Sequence, residues 1–96
     1  MLVCSAGMST SMLVKKMQDV ATVKGIEVEI FAVAEADARN HKDVNVILLG
    51  PQVRFLLNKI KEMVAQEGTP VQVIESVNYG TMNGEAVLNQ ALELMA

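Results

Sequence analysis

Cys4 is the only cysteine in a chain of 96 residues, and a run of small or flexible residues follows it: Ser5, Ala6, Gly7, Met8, Ser9, Thr10 and Ser11. Between a strand and a helix, such a run lets successive backbone N–H groups turn toward one point. The helix beginning near Ser9 to Ser11 adds its partial positive end. The expected result is a cradle for an anion. A thiol at its mouth has its thiolate stabilised by the same donors, which makes Cys4 a better nucleophile than an ordinary cysteine and suits it to attack on a phosphoryl group. A single cysteine after a strand is most often a small buried apolar residue, and serines beside a helix start are most often caps. The whole loop, with Gly7, three serines and a threonine around one turn, shifts the weight toward anion binding.

Other chemistries fit less well. A redox role lacks a second cysteine to resolve a disulfide. His41 precedes the third apolar run, which places it at the far end of a parallel sheet from Cys4, out of reach for a base or a phosphohistidine relay. No group of His, Cys, Asp or Glu has metal-ligand spacing, and no cofactor is implied. The formal charge of −3 argues against nucleic acid as the main partner, because phosphate backbones are held by clustered Lys and Arg. Residues 1 to 26 nevertheless carry Lys15, Lys16 and Lys24 against Asp19 alone, an asymmetry that favours an anion near the first helix.

The elements that position the loop are legible as a repeating pattern. Met1-Leu2-Val3, Val28 to Val33, Val44 to Leu49 and Val71 to Ile74 are short apolar runs rich in β-branched residues or leucine, and read as buried strands. Between them, Leu13, Met17, Val20 and Ala21 share one helical face, with Gly25 as its stop. Val53, Leu56, Leu57, Ile60, Met63 and Val64 follow the i, i+3, i+4, i+7 spacing of a second, with Lys59, Lys61 and Glu62 outward. Ala34 to Asn40 reads as a short helix, and Glu85 to Met95 as a final one with Val87, Leu88, Ala91, Leu92 and Met95 inward. Strands apolar on both faces and separated by helices imply an α/β domain with an open, four-stranded parallel sheet covered on both sides. Ligands bind such sheets beyond the carboxyl ends of the strands, where the winding reverses. In the order 2-1-3-4 the first and third strands meet at that point, and Gly50-Pro51-Gln52 lies beside Cys4.

With 51% hydrophobic residues, the chain suits a single domain spanning 1–96 with a core that needs no disulfide or metal. No apolar run approaches the roughly 20 residues of a membrane span, no secretory signal precedes Cys4, and one thiol suits a reduced, cytoplasmic setting. Seven methionines provide adaptable core filler, with Met8 and Met12 as members of either the core or a contact surface beside Cys4.

Three segments in order resemble the lactose/cellobiose class of enzyme IIB components of the bacterial phosphoenolpyruvate-dependent sugar phosphotransferase system. They are Cys4 to Val14, Val46 to Gln52 and Tyr79 to Gly84, and the resemblance covers essentially the whole chain. It implies a phosphatase-like phosphate loop after the first strand, transient phosphorylation of Cys4, and phosphate binding by Ser5, Ala6, Gly7, Met8, Ser9, Thr10 and Ser11, with Gln52 as a neighbour from a second loop. It also implies a phosphohistidine donor on enzyme IIA. The acceptor would be a disaccharide of cellobiose or chitobiose type bound to the membrane-embedded enzyme IIC, so that the protein visits the inner face of the membrane. A low-molecular-weight tyrosine phosphatase is the alternative. Its loop carries Arg where this chain has Thr10, and it needs an acid for its leaving group, which favours a carrier over a hydrolase. A non-catalytic regulatory module of the same fold is a third possibility, separated from the first by competence in phosphoryl transfer.

Overall fold

A computed structural model describes residues 1–4, 8–38, 40 and 43–95, and of residues 4, 8, 9, 35 and 36 only the backbone. Strand β1 (Leu2–Cys4) leads into helix α1 (Met8–Lys24), then β2 (Ala32–Ala34), α2 (Glu35–Ala38) and β3 (Ile47–Leu49). A 3-10 segment (Pro51–Leu56) runs into α3 (Leu57–Met63), followed by β4 (Val71–Val73), α4 (Ser76–Gly80) and α5 (Gly84–Met95). The four strands are parallel, as the apolar runs imply, and lie in the expected order β2-β1-β3-β4.

Alternation along the strands divides the core in two. Leu2 and Leu48 point to the face covered by Leu13, Val14, Met17 and Ala21 of α1 and Val87 and Leu88 of α5. Val3, Ile47 and Leu49 point to the other, with Ala38 of α2, Val53 and Leu56 of the 3-10 segment, Ile60 of α3 and Val64 beyond it. Successive side chains on a strand face opposite ways, so a strand apolar at every position needs both covers.

The strands are shorter than the apolar runs. Leu2 pairs with Ala32 and with Leu48, so central β1 supplies only three pairing residues and its neighbours' ladders end with it. The run from Val28 to Val33 therefore contributes a strand only at its end, and the run from Val44 to Leu49 only over its last three residues. The second predicted helix is two elements. Pro51 opens the 3-10 segment, and Val53 (φ −120°, ψ 23°) breaks helical geometry before α3 begins. Met95 is 47% exposed rather than packed inward, and α4 was not expected from the pattern.

Gly25 ends α1 in the left-handed region (φ +69°). The Ile26 N–H donates to the Ala21 carbonyl and the Gly25 N–H to that of Thr22, the paired bonds of a Schellman ending, and Ile26 packs on the core beyond it. Helix α5 starts where Asn83 Oδ1 accepts from the Ala86 N–H at 3.1 Å, a side-chain cap for a donor left over in the first turn. Among the described residues no helix is long and apolar enough to cross a membrane.

Candidate functional site

The carboxyl edge of the sheet is where the sequence motifs meet. Cys4 closes β1, and the Gly50 N–H, just past β3, donates to the carbonyl of Val3 at 3.0 Å. The Gly50-Pro51-Gln52 turn therefore sits beside the end of β1, as the strand order requires. At β4 the Ile74 N–H donates to Leu49 O at 2.8 Å, which brings the start of α4 to the same edge.

Helix α1 begins four residues after Cys4, and no acidic residue lies in its first turn. No carboxylate of that turn therefore offsets the positive end of the helix dipole. Ser5, Ala6 and Gly7, the middle of the expected phosphate loop, lie outside the described residues, as do His41 and the side chains of Cys4, Met8 and Ser9. Thr10 and Ser11 stand in the first turns of α1, Ser11 exposed.

Thr10 is the buried polar residue of this edge, 3% exposed, and its hydroxyl lies 2.8 Å from the hydroxyl of Tyr79. Gln52 Nε2 donates to the same Tyr79 hydroxyl at 3.0 Å. One phenol oxygen thus joins α1, the turn after β3 and α4. The sequence reading had singled out Thr10 and Gln52 separately. It missed Tyr79 as their common partner, although Tyr79 opens one of the three matching segments. The bonds reach 69 and 27 residues along the chain, and no local pattern announces such a contact.

Large apolar side chains stand exposed on elements that start at this edge: Met12 at 54% on α1, Phe55 at 76% in the 3-10 segment and Val77 at 64% on α4. Met12 accordingly belongs to the surface rather than the core. A cavity of about 350 Å³ lies elsewhere: Met1, residues 27–31 and 43–46 and Met95 are among the residues that line it, at the amino edge of the sheet.

A family model described as PTS system, Lactose/Cellobiose specific IIB subunit matches residues 1–90. The galactose-specific EIIB component of Lactococcus lactis subsp. cremoris (strain MG1363) is 43% identical over 100 residues, covering 98% of this chain and 93% of the relative. The cellobiose-specific EIIB component of Lactococcus lactis subsp. lactis (strain IL1403) is likewise 43% identical, with the same coverage. Among solved structures, the cellobiose-specific phosphotransferase IIB component of Borrelia burgdorferi superposes with a TM-score of 0.78 at 38% identity, covering 98% of this chain and 89% of that one. Sequence and fold agree: the chain belongs to the lactose/cellobiose-specific IIB family of the phosphotransferase system, whose members are sugar-specific phosphoryl carriers.

Proposed function

We propose that Cys4 is the residue on which this IIB component carries its phosphoryl group, and that residues 1–96 act as one carrier domain between enzyme IIA and enzyme IIC. The observation that carries the reading is the convergence at the end of β1. The start of α1, the Gly50-Pro51-Gln52 turn and α4 meet there through Thr10, Gln52 and Tyr79. A nucleophile at that strand end is flanked by the positive end of a 17-residue helix with no acid in its first turn.

In the first step the Cys4 thiolate attacks the phosphorus of a phosphohistidine on enzyme IIA. An S–P bond forms, the N–P bond breaks, and its electron pair stays on the imidazole nitrogen. In the second step a hydroxyl oxygen of the sugar held by enzyme IIC attacks the same phosphorus. The S–P bond breaks, its pair restores the thiolate, and the hydroxyl proton passes to water. The backbone from Ser5 to Ser11 holds the three phosphoryl oxygens, with the hydroxyls of Ser9, Thr10 and Ser11 as further donors. Little covalent chemistry is asked of the protein, and charge stabilisation and placement supply the rate.

Both partners must approach Cys4 in turn. Met12, Phe55 and Val77 offer exposed apolar contacts around it, suited to brief docking over a small area. The work is placed in the cytoplasm and, while enzyme IIC is engaged, at the inner face of the membrane. The two relatives at 43% identity are named for different sugars, galactose and cellobiose, which fits a sugar read mainly by enzyme IIC. A β-linked disaccharide is the acceptor we assign.

Thr10 stands where a tyrosine phosphatase loop carries its arginine. A buried hydroxyl tied to Tyr79 supplies no bidentate clamp for the transition state of hydrolysis, which favours transfer over loss to water. The test is incubation with phosphoenolpyruvate and the upstream components of a lactose/cellobiose-type system. The chain takes up one phosphoryl group and Cys4→Ser takes up none. Uptake undiminished in Cys4→Ser removes Cys4 from the reaction, and a chain that keeps the fold but accepts no phosphate is a regulatory module.

A further inference from the structure

The reading of Cys4 as the phosphoryl carrier leaves the Tyr79 hydroxyl without a task. Resting on that reading, we propose that Tyr79 is a positioning residue: held by Gln52, its hydroxyl turns the Thr10 hydroxyl so that the Thr10 proton is given to the phosphoryl group on Cys4.

Three observations converge. The Thr10 hydroxyl is buried and lies 2.8 Å from the Tyr79 oxygen, so its rotamer and its acceptor direction are set by that contact. Gln52 Nε2 donates to the Tyr79 oxygen at 3.0 Å, and an amide N–H only donates, so Tyr79 is the acceptor of that bond. The phenol is a stronger acid than the aliphatic alcohol, and its acceptor side is already engaged. The favourable order is therefore Gln52 N–H to Tyr79 oxygen, and Tyr79 O–H to Thr10 oxygen. In that order the contact with Tyr79 leaves the Thr10 proton unused. Thr10 stands in the first turn of α1, six residues after Cys4 in the same strand-to-helix turn, and the acceptor we assign to it is the phosphoryl group on Cys4. Each bond in such a chain polarises the next, which makes the last O–H a better donor to an anion than an isolated threonine.

Gly50 leaves space above its Cα into which the Gln52 side chain folds, with the Tyr79 ring next to it. The Tyr79 ring also packs against the core face of α1 and α5, so the phenol is anchored by apolar contact at one side and presents its oxygen at the other.

The experiment measures the initial rate of phosphoryl acceptance, with phosphoenolpyruvate and the upstream components as donor, for the native chain, Tyr79→Phe, Thr10→Val and the double variant. Phenylalanine keeps the packed ring. Removing the terminal donor, Thr10→Val, is expected to slow acceptance about 100-fold, the effect of losing one donor to a developing oxyanion. Tyr79→Phe is expected to slow it about 10-fold. The double variant should match Thr10→Val within about twofold, since without the Thr10 proton Tyr79 has nothing to orient. Tyr79 is the only tyrosine of the chain, so growth on 3-fluorotyrosine labels this position alone. Its fluorine resonance should shift on phosphorylation of the native chain and stay put in Thr10→Val. Tyr79→Phe reacting at the native rate, or losses in the two single variants that multiply in the double, overturns the proposal while leaving Cys4 as carrier. A native chain that accepts no phosphate overturns both.

Discussion

The Gln52 side chain folds back over Gly50, so that a Cβ added at position 50 would lie 2.6 Å from Gln52 Oε1 and 3.6 Å from the Tyr79 ring. Gly50 has an extended backbone (φ −62°, ψ 149°) that any residue adopts, so space rather than conformation demands the glycine. The crowding atom is the end of a flexible side chain and can move aside. Gly50→Ala is therefore expected to unfold nothing but to break the Gln52–Tyr79 hydrogen bond, at a cost of about 0.5–1 kcal/mol in stability. Urea titration gives the stability, and the side-chain amide resonances of Gln52 report the lost bond. Unchanged amide resonances would contradict the account.

Gly84 is crowded by harder material. A Cβ there would sit 2.8 Å from the Lys16 carbonyl carbon, 2.9 Å from Lys16 Cβ and 2.9 Å from the Met17 nitrogen, because the first turn of α5 lies against the backbone of α1. Alanine is the better helix former by roughly 0.5–1 kcal/mol, but overpacking against backbone costs about 1–3 kcal/mol. The clash wins. Gly84→Ala should lower the urea midpoint, and a midpoint equal to or above the native one would show that the two helices separate freely.

The pattern of strands and helices was legible because each central strand is apolar on both faces and each long helix has one apolar side. Strand lengths were not, because a run such as Val28 to Val33 can extend its ladder only as far as β1 offers partners. Helix α4 escaped notice for a related reason: none of its five residues is fully buried and they show no apolar period. Of the candidate site, Cys4, Thr10 and Gln52 are singled out by residue type and loop position. Tyr79 is not, because what recruits it is the meeting of three elements far apart in the chain. Where the loop between Cys4 and α1 matters most, Ser5, Ala6 and Gly7 lie outside the described residues.

Stability should depend on pH through the amino terminus in the chain that starts at Met1. The terminal ammonium donates to the Val46 carbonyl at 2.9 Å, and burial lowers its pKa from 8.0 to about 6. Between those values the unfolded chain holds the proton and the folded chain does not, so stability rises with pH from about 6 to 8 and is at its lowest below 6. Two pH units correspond to about 2–3 kcal/mol. Urea midpoints across pH 5 to 9 should show the rise, and an Nα-acetylated chain should lack it. An identical rise in the acetylated chain would assign the effect to another group.

The central claim is that the phosphoryl group resides on the sulfur of Cys4. The direct measurement is peptide mass spectrometry of the chain after incubation with phosphoenolpyruvate and the upstream components, under conditions that preserve a thiophosphate ester. The account predicts a single phosphoryl group on the peptide containing Cys4, lost when excess acceptor sugar and enzyme IIC are added. A phosphoryl group found on His41, or on a serine of the loop, would contradict it.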